Sequence, residues 1–98
     1  MYHAYRITHP STGQHWTQSN TTPEGAIDQV LLFGSSDKNP HHFIVQEIHI
    51  TGDVQAPPST WITTYSEPIE LDLTQVVYFY QGFTITCEQA EKLGLLNR

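Results

Sequence analysis

Residues Val76–Thr86 read VVYFYQGFTIT and form the densest run of β-branched and aromatic side chains in the sequence. A single glycine, Gly82, interrupts this run. β-branched and aromatic residues favour strands, and a short break that contains glycine between two such runs is typical of a β-hairpin. We therefore expect two strands joined by a tight turn. We also expect this pair to be the central pair of the sheet on which the other elements pack.

Two registers are open to this hairpin. A two-residue turn places Tyr80 opposite Phe83 and mixes apolar and polar side chains on both faces. A three-residue loop with Gly82 as a left-handed bulge pairs Phe79 with Phe83 instead. Because Gln81 reaches positive φ only at a cost, and because a one-residue slip moves every side chain to the other face, we predict the bulged register. Its apolar face carries Val77, Phe79, Phe83 and Ile85.

The composition fits one domain over residues 1–98. Hydrophobic residues make up 38% of the chain, enough for a single core without metal or disulfide support, and Cys87 has no partner for an internal disulfide. The net charge is −6, with four lysines and arginines. So few basic residues argue against direct binding of nucleic acid. The acidic balance suits a protein partner with a basic surface, or it simply maintains solubility.

The sequence contains no recognisable targeting or membrane segment. Its first residues lack the basic start and apolar run of a secretory signal. No segment approaches the roughly 20 apolar residues of a membrane span. We therefore expect a cytoplasmic protein that does not bind a membrane.

Patterns outside the hairpin predict further antiparallel strands. The third strand, His42–Thr51, is apolar on both faces, which indicates an interior strand. Ile69–Leu73 alternates apolar and acidic residues, as a half-exposed edge strand does, and a homodimer that pairs through this edge is possible. The other predicted strands are Tyr2–Thr8, Gln14–Gln18 and the short Trp61–Tyr65.

Two helices are indicated by their end signals. A hydroxyl residue before Pro23 and Glu24, and Gly34 after the last apolar residue, bound a helix over about 22–33. Thr86 and Gln89 have the spacing of a capping box, which starts a short helix over about 87–93. The chain is therefore predicted to be an α+β domain. Its mainly antiparallel sheet has about five strands, with the longer helix packed on it and a short helix at the C-terminal end.

The sequence gives only weak signals for chemistry. The chain has six histidines, but no three or four of them form a recognisable zinc-ligand array, so we expect surface histidines, no metal site and no cofactor. Glu47 and His49 share one face of the third strand and form a candidate acid–base pair. Without a nucleophile motif or a glycine-rich loop, we do not expect an enzyme. Cys87 is either a thiolate favoured by helix amides or, more commonly, a small buried hydrophobe.

Aromatic side chains give the strongest functional signal. The bulged register leaves Tyr78 and Tyr80 on the face opposite the core, unless the second helix or residues 53–68 cover that face and form a second small core. Tyrosine and tryptophan dominate interface hot spots. We therefore predict a non-catalytic protein-binding module, in the form of a small acidic inhibitor of the phage or mobile-element type that blocks a basic or nucleic-acid-binding partner. The alternative is a small-molecule-binding or hydrolytic domain that uses Glu47 and His49 in a pocket. The predicted protein-binding residues are Tyr78, Tyr80, Trp61, Tyr65, Glu67, Glu70 and Asp72.

Overall fold

Six strands and two α-helices occur in the computed structural model, which describes residues 2–96. The strands are β1 (His3–His9), β2 (Gln14–Asn20), β3 (Ile44–Thr51), β4 (Ile62–Tyr65), β5 (Val77–Tyr80) and β6 (Phe83–Thr86). The helices are α1 (Pro23–Gln29), which continues as a π-helical turn over Val30–Gly34, and α2 (Cys87–Lys92). Short 3-10 turns span Pro40–His42 and Pro58–Thr60. The predicted α+β class and the mainly antiparallel pairing are confirmed, with six strands where about five were expected.

The larger sheet has four antiparallel strands in the order β2-β1-β3-β4. Ile7 of β1 lies opposite Trp16 of β2 and opposite Val45 of β3, so these three side chains face the same layer. The interior position predicted for the third strand is confirmed. The central position predicted for the hairpin is wrong, because β5 and β6 form a separate two-stranded sheet. β1 and β3 have 7 and 8 residues and pair on both sides, whereas the hairpin strands have only 4 each.

Helix α1 covers one face of the four-stranded sheet and closes the core. The hydroxyl of Thr22 accepts a hydrogen bond from the Gly25 N–H at 3.1 Å, which confirms the predicted helix start. The helical segment ends at Gly34, as predicted. A Cβ at Gly34 would lie 3.0 Å from Nε1 of Trp16. The absence of a side chain at Gly34 therefore lets the indole pack against the end of the helical segment. The buried side chains of this layer are Tyr5, Ile7, Ala26, Ile27, Val30, Leu31, Phe43 and Val45.

The hairpin adopts the two-residue turn, and the predicted bulge is wrong. Tyr80 pairs with Phe83, so Phe79 lies opposite Thr84 rather than Phe83. Gln81 and Gly82 have φ values of 48° and 83°, as a type I′ turn requires. The observed register therefore outweighs the conformational cost of a positive φ at Gln81.

The register is fixed at the base of the hairpin. The Cys87 N–H donates to the Val76 carbonyl at 2.8 Å, and both side chains are fully buried. Side chains alternate along a strand, so the face that carries Val76 and Cys87 also carries Tyr78 and Ile85, which pack against the core. The bulged register would have shifted one strand by a residue and turned Val76 or Cys87 away from the core.

Residues 69–73 are not a strand, so the predicted edge strand is wrong. The Ser66 hydroxyl accepts the Glu47 N–H at 2.8 Å, and the Ile69 N–H donates to Val45 at 2.8 Å. These bonds attach residues 66–69 to β3, and they do not continue as a regular ladder along residues 69–73. Its apolar side chains Ile69, Leu71 and Leu73 pack against the core. A homodimer that pairs through this edge loses its structural basis.

The C-terminal helix follows its sequence signals closely. Both hydrogen bonds of the capping box between Thr86 and Gln89 are present. The helix ends one residue before the predicted position, and Gly94 follows with φ of 75°. Leu96 then folds back and is buried in the core.

The molecule is elongated. Its radius of gyration is 15.2 Å and its extents are 51 × 29 × 22 Å, whereas a compact domain of this length has a radius of gyration of about 12.6 Å. Its accessible surface is 6461 Å², against about 5,700 Å² for a typical monomer of this mass. The protein is therefore less compact, and exposes more surface, than a typical domain of its length.

The type I′ turn predicts the effect of two substitutions. Gln81→Asn is expected to raise the free energy of unfolding by about 0.5 kcal/mol, because asparagine tolerates positive φ better. Gly82→Ala is expected to lower it by about 1 kcal/mol. Urea denaturation measures both. No gain from Gln81→Asn would contradict the two-residue turn, since a bulge does not need positive φ at that position.

A hydrogen bond ties the hairpin to α1, and it makes a second prediction. Asp28 accepts the Val77 N–H at 2.9 Å, and burial raises the pKa of Asp28 above its ordinary value. A raised folded-state pKa favours folding at low pH, and this contribution is lost as pH rises through that pKa. Asp28→Asn keeps the acceptor and cannot ionise, so it should decline less in stability between about pH 4 and 7. Asp28→Ala leaves Val77 unsatisfied and should cost about 1–2 kcal/mol at low pH. That cost should shrink as pH rises, because alanine cannot ionise either.

Chemical denaturation across pH compares the two Asp28 variants with the natural chain. If both variants lose the same free energy of unfolding at every pH, the hydrogen bond to Val77 does not stabilise the fold as proposed.

Candidate functional site

The predicted binding residues fall on two separate parts of the fold. Tyr65 lies opposite Ile48, on the sheet face away from α1, and the Arg6 guanidinium sits 5.1 Å from the centre of its ring. The Trp61 indole N–H donates to the Asp53 carbonyl at 2.9 Å, which closes the loop before β4. Trp61 is half-buried and already has intramolecular partners, while Tyr65 remains exposed.

Tyr78 and Tyr80 lie on the hairpin, away from Tyr65. Tyr78 packs against the core and both tyrosines are half-buried, so part of the predicted aromatic surface belongs to the hairpin's own base. The Asp72 carboxylate accepts the Thr74 hydroxyl at 2.6 Å and the Thr74 N–H at 3.0 Å, which lowers the pKa of Asp72 and stabilises the turn before β5. Glu67 and Glu70 are exposed. The seven predicted residues therefore do not form one continuous surface.

Two phenylalanines at the tip of the hairpin replace them as the most exposed aromatic group of this region. Phe79 is 59% exposed and Phe83 is 70% exposed. Phe83 continues the face of Tyr78 and Tyr80 beyond the edge of the core, and Phe79 lies on the opposite face. The bulged register predicted from the sequence placed both side chains in the core, and that prediction is wrong. Their position follows from Cys87, whose burial at the hairpin base fixes the register.

Acidic side chains surround the base of this hairpin. Asp28 contacts the start of β5, Asp72 lies in the preceding turn, and Glu88 and Glu91 lie on the helix that follows β6. Each basic side chain within residues 2–96 has a partner in the fold, and Lys92 pairs with one of these acids, Glu88. Arg6 stacks on Tyr65, Lys38 donates to main-chain carbonyls of Leu31 and Ser35 beyond α1, and Lys92 pairs with Glu88 at 3.5 Å.

The Glu47 and His49 pair lies outside the cavities described here. Glu47 contacts His3 at 2.9 Å and His49 at 3.8 Å, on the exposed end of the sheet. A depression of about 350 Å³ lies elsewhere, between the 3-10 turn at Pro40–His42 and the segment 69–73. A smaller one of about 100 Å³ lies between the end of α1 and β5. The proposed pocket at Glu47 and His49 stays a prediction.

A different cluster brings two histidines onto one carboxylate. His9 Nε2 lies 2.8 Å from Asp37 Oδ2, and His42 Nδ1 lies 2.7 Å from the same oxygen. His9 ends β1 and is buried against the ring of Phe43, with the ring centres 4.9 Å apart. Asp37 lies in the loop after α1, and His42 closes the following 3-10 turn. No local sequence pattern groups these residues, because 28 positions separate His9 from Asp37.

The electrostatics of this cluster keep its carboxylate ionised. Burial alone would raise the pKa of Asp37, but hydrogen bonds from the Asn39 N–H, His9 and His42 outweigh it and lower the pKa to about 2. The other ring nitrogen of His9, Nδ1, lies 3.1 Å from the Thr12 hydroxyl. A neutral imidazole has one donor and one acceptor nitrogen, so both nitrogens of His9 have partners.

Cys87 is a buried side chain of the core. It is fully buried, and burial, with the carboxylates of Asp28 and Glu91, raises the pKa of its thiol to about 12. A neutral thiol in such a place is a poor nucleophile. Of the two interpretations of the sequence, the structure supports the small buried hydrophobe.

The environment of Cys87 makes a further prediction. Iodoacetamide at neutral pH should leave the native chain unmodified and should alkylate it fully in denaturant, as measured by intact mass. Rapid modification of the native chain would contradict the buried neutral thiol.

Comparison with protein-family models, with characterised proteins and with solved structures found no match. Within residues 2–96, no helix has the length and apolar character needed to cross a membrane.

Proposed function

We propose that this chain is a non-catalytic protein-binding module that contacts its partner through the tip of the β5–β6 hairpin. The observation that carries the proposal is the exposure of Phe79 and Phe83, at 59% and 70%, on a hairpin anchored in the core. Large aromatic side chains are the usual anchors of protein interfaces, because they bury much area at little cost in conformational entropy.

The exposed area of the two rings suits the anchors of an interface rather than a whole interface. Because Phe79 and Phe83 lie on opposite faces of the hairpin, a partner has to enclose the tip to bury both. A phenylalanine side chain offers about 200 Å², so the exposed parts of the two rings amount to about 260 Å². Burial of that area is worth about 6 kcal/mol before the costs of association are subtracted. The anchored base matters here, because a hairpin already held in one conformation loses little entropy on binding.

The charge around the hairpin supports a basic partner. Asp28, Asp72, Glu88 and Glu91 lie near its base, and the whole chain has a net charge of −6. Complementary charge raises the rate of association and excludes like-charged partners. A small acidic inhibitor that covers a basic or nucleic-acid-binding surface, of the kind found in phages and mobile elements, is the specific form of this proposal.

Affinity capture with a matched pair of variants tests the proposal. The natural chain and the variants Phe83→Ser and Val54→Ser serve as bait in a lysate of the source organism, and captured proteins are identified by mass spectrometry. Val54 is 84% exposed and lies in the loop after β3, away from the hairpin. We expect a stoichiometric partner that is retained by Val54→Ser, lost or weakened at least about tenfold by Phe83→Ser, and released by salt.

Two outcomes would contradict the proposal. A partner captured equally by both variants would place the interface elsewhere, and the open sheet face at Tyr65 would be tested next. A partner whose affinity does not change with salt would remove the role of the acidic residues. Sedimentation of the isolated chain shows separately whether the exposed phenylalanines join two copies of it.

A further inference from the structure

Three elements that are distant in sequence bring metal-ligating atoms to one place. His9 Nε2, Asp37 Oδ2 and His42 Nδ1 all lie within 4.8 Å of one another. The two nitrogens each contact the carboxylate at 2.7–2.8 Å. Two imidazoles and one carboxylate form a donor set that suits first-row divalent transition metals better than Ca²⁺ or Mg²⁺, which prefer oxygen ligands.

From this arrangement we propose that His9, Asp37 and His42 form a binding site for a divalent transition-metal ion such as Zn²⁺. This site is independent of the hairpin surface and adds a second activity to the proposed function. The ion displaces the protons that lie between the ring nitrogens and Asp37 Oδ2, and each proton moves to the other nitrogen of its ring or is released to solvent.

Metal binding at this site requires the three ligand atoms to change their spacing. Ligand atoms of a tetrahedral zinc ion are about 3.4 Å apart, given bonds of about 2.0–2.2 Å. The two nitrogen–oxygen distances therefore need to open by about 0.6 Å. The two ring nitrogens, which lie within 4.8 Å of each other, need to approach by up to about 1.4 Å. His9 is held by β1 and by burial, so the movement falls to Asp37 in its loop and to His42, whose side chain is 43% exposed.

The surroundings of His9 resemble the outer shell of a metal site. A metal-bound histidine almost always donates its other ring N–H to an oxygen, which fixes the tautomer and the orientation of the ring. Thr12 Oγ1 lies 3.1 Å from His9 Nδ1, in position to accept that hydrogen bond. Phe43 packs against the His9 ring on the core side and keeps it in place.

An open position remains for a fourth ligand. Three protein ligands leave one corner of a tetrahedral ion free. A depression of about 210 Å³ lies beside the cluster and has room for a water molecule or a small anion. Asp37 and His42 line it, together with Lys38, Asn39, Tyr78, Leu95 and Leu96.

The chain offers a matched control for the test. His3, Glu47 and His49 form a second group of two histidines and a carboxylate, but His49 Nε2 is 3.8 Å from Glu47, and its side chain is 52% exposed. Substitution of His49 removes a histidine of the same kind without touching the proposed site. His15, exposed on β2, is a further control.

Isothermal titration of the chelator-treated chain with ZnCl₂ tests the proposal. We expect one ion per chain, no heat with CaCl₂ or MgCl₂, and a loss of affinity of at least about tenfold for His42→Ala and for Asp37→Asn. His49→Ala and His15→Ala should bind as the natural chain does. Thr12→Ala should weaken binding about tenfold, and Thr12→Ser, which keeps the hydroxyl, should restore it.

A measurement on the unsubstituted chain covers the case in which a variant fails to fold. Co²⁺ is paramagnetic, so it should broaden the NMR signals of His9, Asp37 and His42 and leave those of His3 and His49 sharp. Broadening centred on His49, loss of binding in His49→Ala, or no heat with ZnCl₂ would each overturn the proposal. None of these results bears on the hairpin surface, which is tested by partner capture.

Discussion

The hydrogen bond from the Cys87 N–H to the Val76 carbonyl is the constraint on which the exposed surface of this protein depends. It closes the base of the hairpin at 2.8 Å, with both side chains fully buried. Once that pair is fixed, strand alternation places Tyr78 and Ile85 toward the core and carries Phe83 past its edge. The turn at Gln81-Gly82 then accepts an unfavourable φ at Gln81, because the alternative would expose one of the two anchors.

Histidines contact several of the carboxylates of this acidic chain. Five contacts of 4 Å or less within residues 2–96 join a histidine nitrogen to a carboxylate oxygen, and Asp37 and Glu47 each contact two histidines. The lysines and arginine of these residues are engaged elsewhere, on Tyr65, on carbonyls beyond α1 and on Glu88. The two proposed sites lie in different parts of the fold. Acidic side chains gather near the base of the hairpin, while two histidines and Asp37 are held together at the end of β1.

Local signals predicted the helices and most of the strands correctly. Thr22 before Pro23, and Thr86 with Gln89, act within a few residues, so their effect is visible in the sequence. The hairpin itself was also predicted correctly, since Gly82 lies between two β-forming runs. Its register was not, because the deciding contacts of Val76 and Cys87 are made with the core, which a local pattern does not contain. Ile69–Leu73 was wrong for a related reason: its alternating apolar residues meet the core without a regular ladder.

The candidate sites were predicted less well than the fold. Exposed aromatic side chains near acidic residues were expected from the sequence, but the tertiary structure moved the exposure from Tyr78 to Phe79 and Phe83. The cluster of His9, Asp37 and His42 has no sequence signal, because its members come from a strand end, a loop and a 3-10 turn. The sequence alone determined the elements and their caps, because those depend on neighbours in the chain. Which side of each strand meets the core, and which distant side chains meet each other, were decided only when the layers packed, because burial acts on contacts that sequence distance does not reveal.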